Sequence, residues 1–364
     1  MAAEPTRSAA VLGVGIATRD IVNVVAAYPP EDAEIRALAQ RTARGGNCAN
    51  TLDVLAQLGR RCAWAGVLAG DDGAAFIAED LARRGIDHSH AGRLAGGATP
   101  TSYITLSRAT GSRTIVHHRD LPELAAADFA RLPLDGFDWV HFEGRNPADT
   151  AQMLARVRRE RPDLPISVEI EKPRDGIEQL FYDVDVLIIA RAYAQSVSAA
   201  AGARQGALVD ADGGVEGSGD AVVDRDSDTG CDDGYRLGTG IDPRGFLRRM
   251  AAVTDARLCL LPWGAAGAYG LATGSAAPVF APAQPPAALR DSLAAGDVFN
   301  AAVIDGLLAL GGGRDGLAAA AGEGALKALL ARANCLAGLK CGRDGLDGLA
   351  VAARSAGWPN GAGP

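Results

Sequence analysis

The chain lacks the features that would put it in several large classes at once. Its six cysteines, at 48, 62, 231, 259, 335 and 341, form no CxxC pair and no regular framework, so they read as reduced, mostly buried thiols. Five histidines fall in no ligand spacing, which argues against a histidine-held metal. No apolar run reaches the roughly 18 residues that a membrane helix needs. The opening segment MAAEPTRSAAVLGVG is too short in apolar residues to act as a secretory signal, so a cytoplasmic protein is expected. There is no basic stripe, so nucleic acid is not an expected partner. Aromatic residues make up only 5%. With 48% hydrophobic residues, much of that alanine, the balance suits helices packed on a sheet better than a β-sandwich.

What is present is ordered along the chain. AAVLGVG reads as a buried strand and turn, followed by the alternating segment EIRALAQRTA. A Gly-Gly turn then leads into a helix from about Asn47, with Leu52, Leu55 and Leu58 on one face. CAWAGVLA is a strand, and AAFIAEDLARRG a helix ending at Gly85. TSYITLSRATGSRTIVHHR predicts a hairpin. After it, strands such as DWVHFEG, PISVEIE, DVDVLIIA and ARLCLLPW alternate with helical stretches. That order predicts an α/β fold in three layers, a mostly parallel sheet with helices on both faces. The early hairpin does not fit a parallel sheet and predicts a small antiparallel flap.

The formal net charge of −8 is concentrated in one place. Between Val209 and Gly234 nine acidic residues face a single arginine. Residues 202–240 are rich in Gly, Asp and Ser and poor in large apolar groups, and are expected to form a disordered surface insertion. Asp224-x-Asp226-x-Asp228 within it hints at a calcium loop. Thr229 and Tyr235 stand where such a loop needs Gly and Glu, so a solvated acidic loop is the better reading. The tail over 354–364 is expected to be loose.

Three patches carry candidate chemistry. Ser292-Leu293-Ala294-Ala295-Gly296-Asp297 runs into an apolar helix and offers free N–H groups at a helix start, where an anion binds. Asp297 is out of place there, unless it caps the helix or takes a proton from a hydroxyl attacking a phosphoryl group. In Gly45-Gly46-Asn47-Cys48-Ala49-Asn50, two amides three residues apart face the same way and suit a polyol, or Asn47 is merely a cap. Asp20, just beyond the first strand, suits a pair of sugar hydroxyls, or is an ordinary turn aspartate. GVGIATRD lacks the last glycine of a dinucleotide motif.

Together these segments resemble the ribokinase-like (PfkB) sugar kinases, and within that family its ketohexokinase branch. HFEGRN, SVEIEKPRD and AGLKCGRDGLDGL resemble that branch in the same order, so the likeness spans about Val11 to Leu349 apart from the insertion. The resemblance implies one kinase domain over 9–350 with its β flap at about 16–46 and 98–120. It implies transfer of the ATP γ-phosphoryl group to O1 of D-fructose, with Asp297 as base and Ala294, Ala295 and Gly296 as the anion hole. The family usually has Gly first in that hole, so Ala294 is neutral only if its φ is negative. By the same resemblance Asp20, Gly46, Asn47 and Asn50 bind the sugar. Arg113, Gly264, Gly267 and Asn334 lie at the nucleotide, with alanines at 265 and 266 and Asn334 departing from the branch's acidic residues and cysteine. Mg²⁺ is implied with ATP, K⁺ is left open, and Glu143, Glu169 and Glu171 are candidate partners of the metal through water, although Glu171-Lys172 also reads as a surface ion pair. A homodimer through the flap is implied. The alternatives are a kinase of another sugar (fructose to its 6-phosphate, tagatose or ribose) and a non-catalytic sugar-binding or scaffold protein.

Overall fold

The structure, a computed structural model, describes residues 8–199 and 241–358. The acidic segment at 202–240, with its Asp-x-Asp-x-Asp run, lies outside the described residues. The chain runs through β1 (Ala10–Val14), β2 (Thr18–Val25), β3 (Ala39–Gly45), α1 (Asn47–Gln57), β4 (Arg61–Ala65), β5 (Val67–Leu68) and α2 (Asp72–Arg83). It continues through β6 (Ile86–Asp87), β7 (Gly92–Arg93), β8 (Thr101–Ser107), β9 (Arg113–His118), α3 (Ala126–Phe129), β10 (Trp139–Glu143), α4 (Pro147–Glu160), β11 (Ile166–Ile170) and β12 (Val186–Ile189). A helix over 191–199, α5, follows, then α6 (Pro243–Ala251), β13 (Leu258–Pro262), β14 (Gly267–Ala272), β15 (Val279–Pro282), α7 (Ala295–Ala309), α8 (Gly313–Ala320), α9 (Glu323–Cys341) and α10 (Leu349–Ser355).

Nine strands form the central sheet in the order β15-β14-β13-β12-β11-β10-β1-β4-β6. Those from β13 to β6 pair in parallel. They are short and apolar on both faces, as a covered parallel sheet requires. In β12, Val186 and Ile188 face one core with Leu52, Leu307 and Leu330, while Leu187 and Ile189 face the other with Met153, Leu154 and Leu247. Helices α1, α7 and α9 therefore cover one side of the sheet, and α4 and α6 the other.

The sequence reading missed the antiparallel edge made by β14 and β15. Their glycines and prolines mask the strand pattern, and such residues are tolerated at an edge. CAWAGVLA, expected as one strand, is broken at Gly66 into β4 and β5. A Cβ at Gly66 would lie 2.4 Å from the Gly15 carbonyl oxygen, so the two turns cross there in direct contact. The tail also differs from expectation. Residues 354 and 355 complete α10, and Trp358 is buried, donating from its indole to the Arg332 carbonyl at 3.2 Å with the Arg332 guanidinium 3.7 Å from its ring. Residues 359–364 lie outside the described part.

A separate four-stranded sheet, in the order β3-β2-β8-β9, stands over one end of the large one. Asp20, Ser102 and His117 are register neighbours across it, followed by Val22, Ile104 and Ile115, then Val24, Leu106 and Arg113. Val22, Ile104 and Leu106 are buried and pack with Leu293, so this face looks onto the start of α7. The opposite face leaves Tyr103 and Val116 exposed.

Candidate active site

Helix α7 begins without a side-chain cap: its N-cap residue is Ala294, held left-handed at φ 61°, ψ 11°. The N–H groups of Gly296 and Asp297 in its first turn are thus left for a ligand, whereas the Ala295 N–H, expected in the same anion hole, donates to the Ser292 carbonyl at 3.5 Å. A Cβ at Gly296 would meet nothing within 4 Å, so the space in front of them is open. Asp297, the third helical residue, does not turn back to cap. Its Oδ2 accepts a hydrogen bond from Asn50 Nδ2 at 2.7 Å, and its carbonyl one from Thr51 Oγ1 at 3.2 Å. Only 5% of Asp297 is exposed. Burial pushes its pKa up to about 7; Asn50 and Arg44 oppose that rise, while Glu143 and Glu171 add to it. A carboxylate with its proton affinity near neutrality fits a general base better than a cap.

The residues expected at the sugar come from three elements. Asp20 lies on β2 rather than on a turn, and accepts from Thr18 Oγ1 at 2.7 Å and from the Ser102 hydroxyl. Burial raises its pKa against those two hydrogen bonds. A Cβ at Gly45 would lie 2.1 Å from Asp20 Oδ2, so the first glycine of the pair makes room for this carboxylate. Gly46 has φ 100°, and a Cβ there would strike the Ile16 carbonyl oxygen at 2.2 Å. Both features demand glycine. Gly46 itself caps α1, and Asn47 starts it with its side chain directed to Glu169 and Glu171, at 3.3 and 3.4 Å. Asn50 is 8% exposed and ties Asp297 to Arg44, which donates to its Oδ1 at 2.9 Å.

Glu143 and Glu169 are buried at the ends of β10 and β11. Glu143 accepts from the Ile16 amide at 3.1 Å. Burial, with Asp297, Glu143 and Glu171 nearby, pushes the Glu169 carboxyl well above its usual range. Glu171 also forms the surface ion pair with Lys172, at 3.2 Å. Among the described residues no three His, Cys, Asp or Glu side chains are grouped to hold a metal directly.

Arg113 reaches from β9 to Ser292 Oγ at 2.9 Å, which sets a guanidinium beside the anion-binding turn. Gly264 and Gly267 bound the β13–β14 turn with φ 65° and 127°. A Cβ at Gly267 would fall 2.2 Å from the Ala281 carbonyl oxygen. Asn334, buried on α9, donates to the carbonyls of Ala281 and Pro282 at 2.9 and 3.0 Å, so its amide pins β15 to the helix.

A carboxylate at an uncapped helix start, between a polyol-suited turn and an anion-suited one, is suited to phosphoryl transfer. The sequence model described as "pfkB family carbohydrate kinase" matches residues 8–228. The chain belongs to that family of carbohydrate kinases. This kinase is also 33% identical over 347 residues to the ketohexokinase of Mus musculus, an alignment covering 93% of this chain and 98% of that one. It thereby extends the likeness beyond the family match to the Asp297 turn. A ribokinase of Giardia lamblia has the same fold at TM-score 0.69 and 16% identity, over 96% of this chain and 99% of that one. An Arabidopsis thaliana ribokinase solved with ribose and ATP has it at TM-score 0.61 and 17% identity, over 93% and 94%.

Two side chains that organise the kinase's site were not legible in its sequence. Arg44, 7% exposed, is held by Asp80 at 2.8 Å and Asp53 at 3.1 Å while it orients the Asn50 amide. Asp291, 1% exposed, anchors the anion-binding turn: it binds Arg41 at 2.8 Å and Lys340 at 3.1 Å, and accepts from the amides of Leu293 and Gly345. Arg44 directly precedes the glycine pair and Asp291 the turn at Ser292–Asp297, but their partners are scattered from 41 to 345. No local spacing marks such contacts.

Proposed function

We propose that this carbohydrate kinase is an ATP-dependent ketohexokinase that phosphorylates D-fructose at O1, giving fructose 1-phosphate and ADP. The observation that carries the reading is Asp297: buried, hydrogen-bonded to Asn50 and set at the uncapped start of α7. The likeness to mouse ketohexokinase supports the ketohexose, and the Arabidopsis ribokinase bound to ATP supports the nucleotide.

In this reading Asp20 and Asn47 hold the sugar hydroxyls. Asn50, itself aimed by Arg44, holds the Asp297 carboxylate toward the primary hydroxyl, and Asp297 accepts that proton as the oxygen attacks phosphorus. The amides of Gly296 and Asp297, with Arg113, hold the transferring group, where preformed donors cost no rearrangement as charge develops. Mg²⁺, when bound with ATP, supplies charge neutralisation between the β and γ phosphates. Glu143, Glu169 and Glu171 would hold it through water. A requirement for K⁺ is decided by assay with and without the ion. A cytoplasmic location is proposed in line with the free, buried thiols of Cys48, Cys62 and Cys259.

Coupled ADP release over a panel of sugars, with NMR of the product, tests the assignment. Asp297→Asn is expected to lower kcat by at least about 10³-fold while sugar binding persists. In the wild type kcat/KM is expected to fall as pH drops below about 7, because Asp297 then carries its proton. Near-normal turnover by Asp297→Asn removes the base. Release of a 6-phosphate, or turnover confined to ribose, displaces the ketohexokinase reading in favour of another sugar kinase.

A further inference from the structure

His117 has no part in the functional reading above, yet it closes a row that begins at the sugar-binding carboxylate. Asp20 on β2 is paired in register with Ser102 on β8, and Ser102 with His117 on β9. The three side chains share the flap face that looks onto the start of α7. They are also chemically linked: Ser102 hydrogen-bonds the Asp20 carboxylate, and Ser102 Oγ lies 3.1 Å from His117 Nδ1.

The direction of these bonds assigns the ring's tautomer. An ionised carboxylate only accepts, so the Ser102 proton goes to Asp20. The Ser102 oxygen is then an acceptor toward His117, and Nδ1 must carry the hydrogen that it receives. In a neutral imidazole this leaves Nε2 with a free lone pair. The ring is kept neutral by its surroundings. Although the side chain is exposed in the single chain, partial desolvation, then Arg145 and Arg119, lower its pKa from the usual value; Asp20 opposes this, and Lys172 lowers it further. Arg145 and Lys172 are the ion-pair partners of Glu143 and Glu171, so the charges that act on His117 belong to the glutamate cluster beside Asn47.

We propose that His117 is a specificity-determining residue of the sugar site, presenting Nε2 as a hydrogen-bond acceptor to a hydroxyl of the acceptor sugar. Such a group favours a neutral polyol over a deoxy sugar at that position. The proposal rests on the assignment of Asp20 to the sugar.

The test compares His117→Leu with His118→Leu, the same change one residue on, which faces the other side of the flap. It uses whichever sugar the wild-type kinase phosphorylates, so it does not depend on that sugar being fructose. His117→Leu is expected to raise the sugar KM about 3- to 10-fold, the worth of one neutral hydrogen bond, while kcat and the KM for ATP change less than twofold. His118→Leu is expected to leave all three constants unchanged. Asp20→Ala serves as the check on the underlying reading. If Asp20→Ala raises the sugar KM and His117→Leu does not, the role of His117 is overturned and that of Asp20 stands. If neither raises it, the sugar site itself is misplaced. Equal effects of the two histidine changes, or a parallel shift in the KM for ATP, make His117 a merely structural part of the strand and overturn the proposal.

Discussion

Ala294 is the residue where local rules and the site disagree most openly. It is one of few non-glycine residues with positive φ among those described, and it sits at the hinge between the anion-binding turn and α7. A left-handed alanine costs about 1 kcal/mol more than glycine. That cost persists because neighbours hold the turn: Leu293 is packed under the flap and Asp291 is anchored behind it. Ala294→Gly is therefore expected to raise stability by about 1 kcal/mol in thermal or urea unfolding and to retain the anion site. A loss of stability would mean that the alanine methyl makes a contact outweighing the strain. The condition that would make the family's missing glycine harmless, a negative φ, is not met here. The sequence located the residue that matters but not its dihedral angle, because φ is imposed by the packing on both sides of the turn.

At the scale of elements, the anion-binding turn is a clasp between units distant in sequence. Arg41 on β3 and Lys340 at the end of α9 both bind Asp291, and the Lys340 ammonium is 1% exposed. Burial alone would raise the Asp291 pKa; Lys340 and the amides of Leu293 and Gly345 outweigh it and hold the carboxyl below its usual range. Asp291→Asn would leave the buried Lys340 charge without its counterion, at a cost of about 3 kcal/mol or more. A fall in urea midpoint of that size is expected, together with weaker nucleotide affinity, as the turn loses its anchor. An unchanged midpoint would show that Lys340 is satisfied by the Asp291 carbonyl, 2.7 Å away, without the carboxylate. The strands and helices bearing these residues were mostly legible from apolar periodicity. The edge strands β14 and β15 were not, because glycine and proline hide the alternation that marks a strand.

Over the whole molecule, the flap has one face turned to the site and another that carries an apolar row, Ile21, Tyr103 and Val116, between polar ones. Tyr103 and Val116 are register partners on that outer face, 50% and 67% exposed. The homodimer that the family resemblance implies would cover them with the same face of a second copy. Tyr103→Arg is then expected to shift the protein from dimer to monomer in light scattering, with a rise in substrate KM if a partner steadies the flap. A wild-type monomer at micromolar concentration would remove the dimer.

The sequence by itself determined the layered α/β architecture, the flap, the family, and the turn and amides from which the site is built. Those follow from hydrophobic period and from short motifs, whose residues are close in the chain. Only the tertiary structure decided what each group does. It drew Asn50 away from open solvent to join Arg44 and Asp297, and committed the Asn334 amide to two carbonyls of β15. It also lined up Asp20, Ser102 and His117 across three strands. The physical reason is that burial and cross-strand register set proton affinity and hydrogen-bond direction, and both depend on neighbours brought from far along the chain.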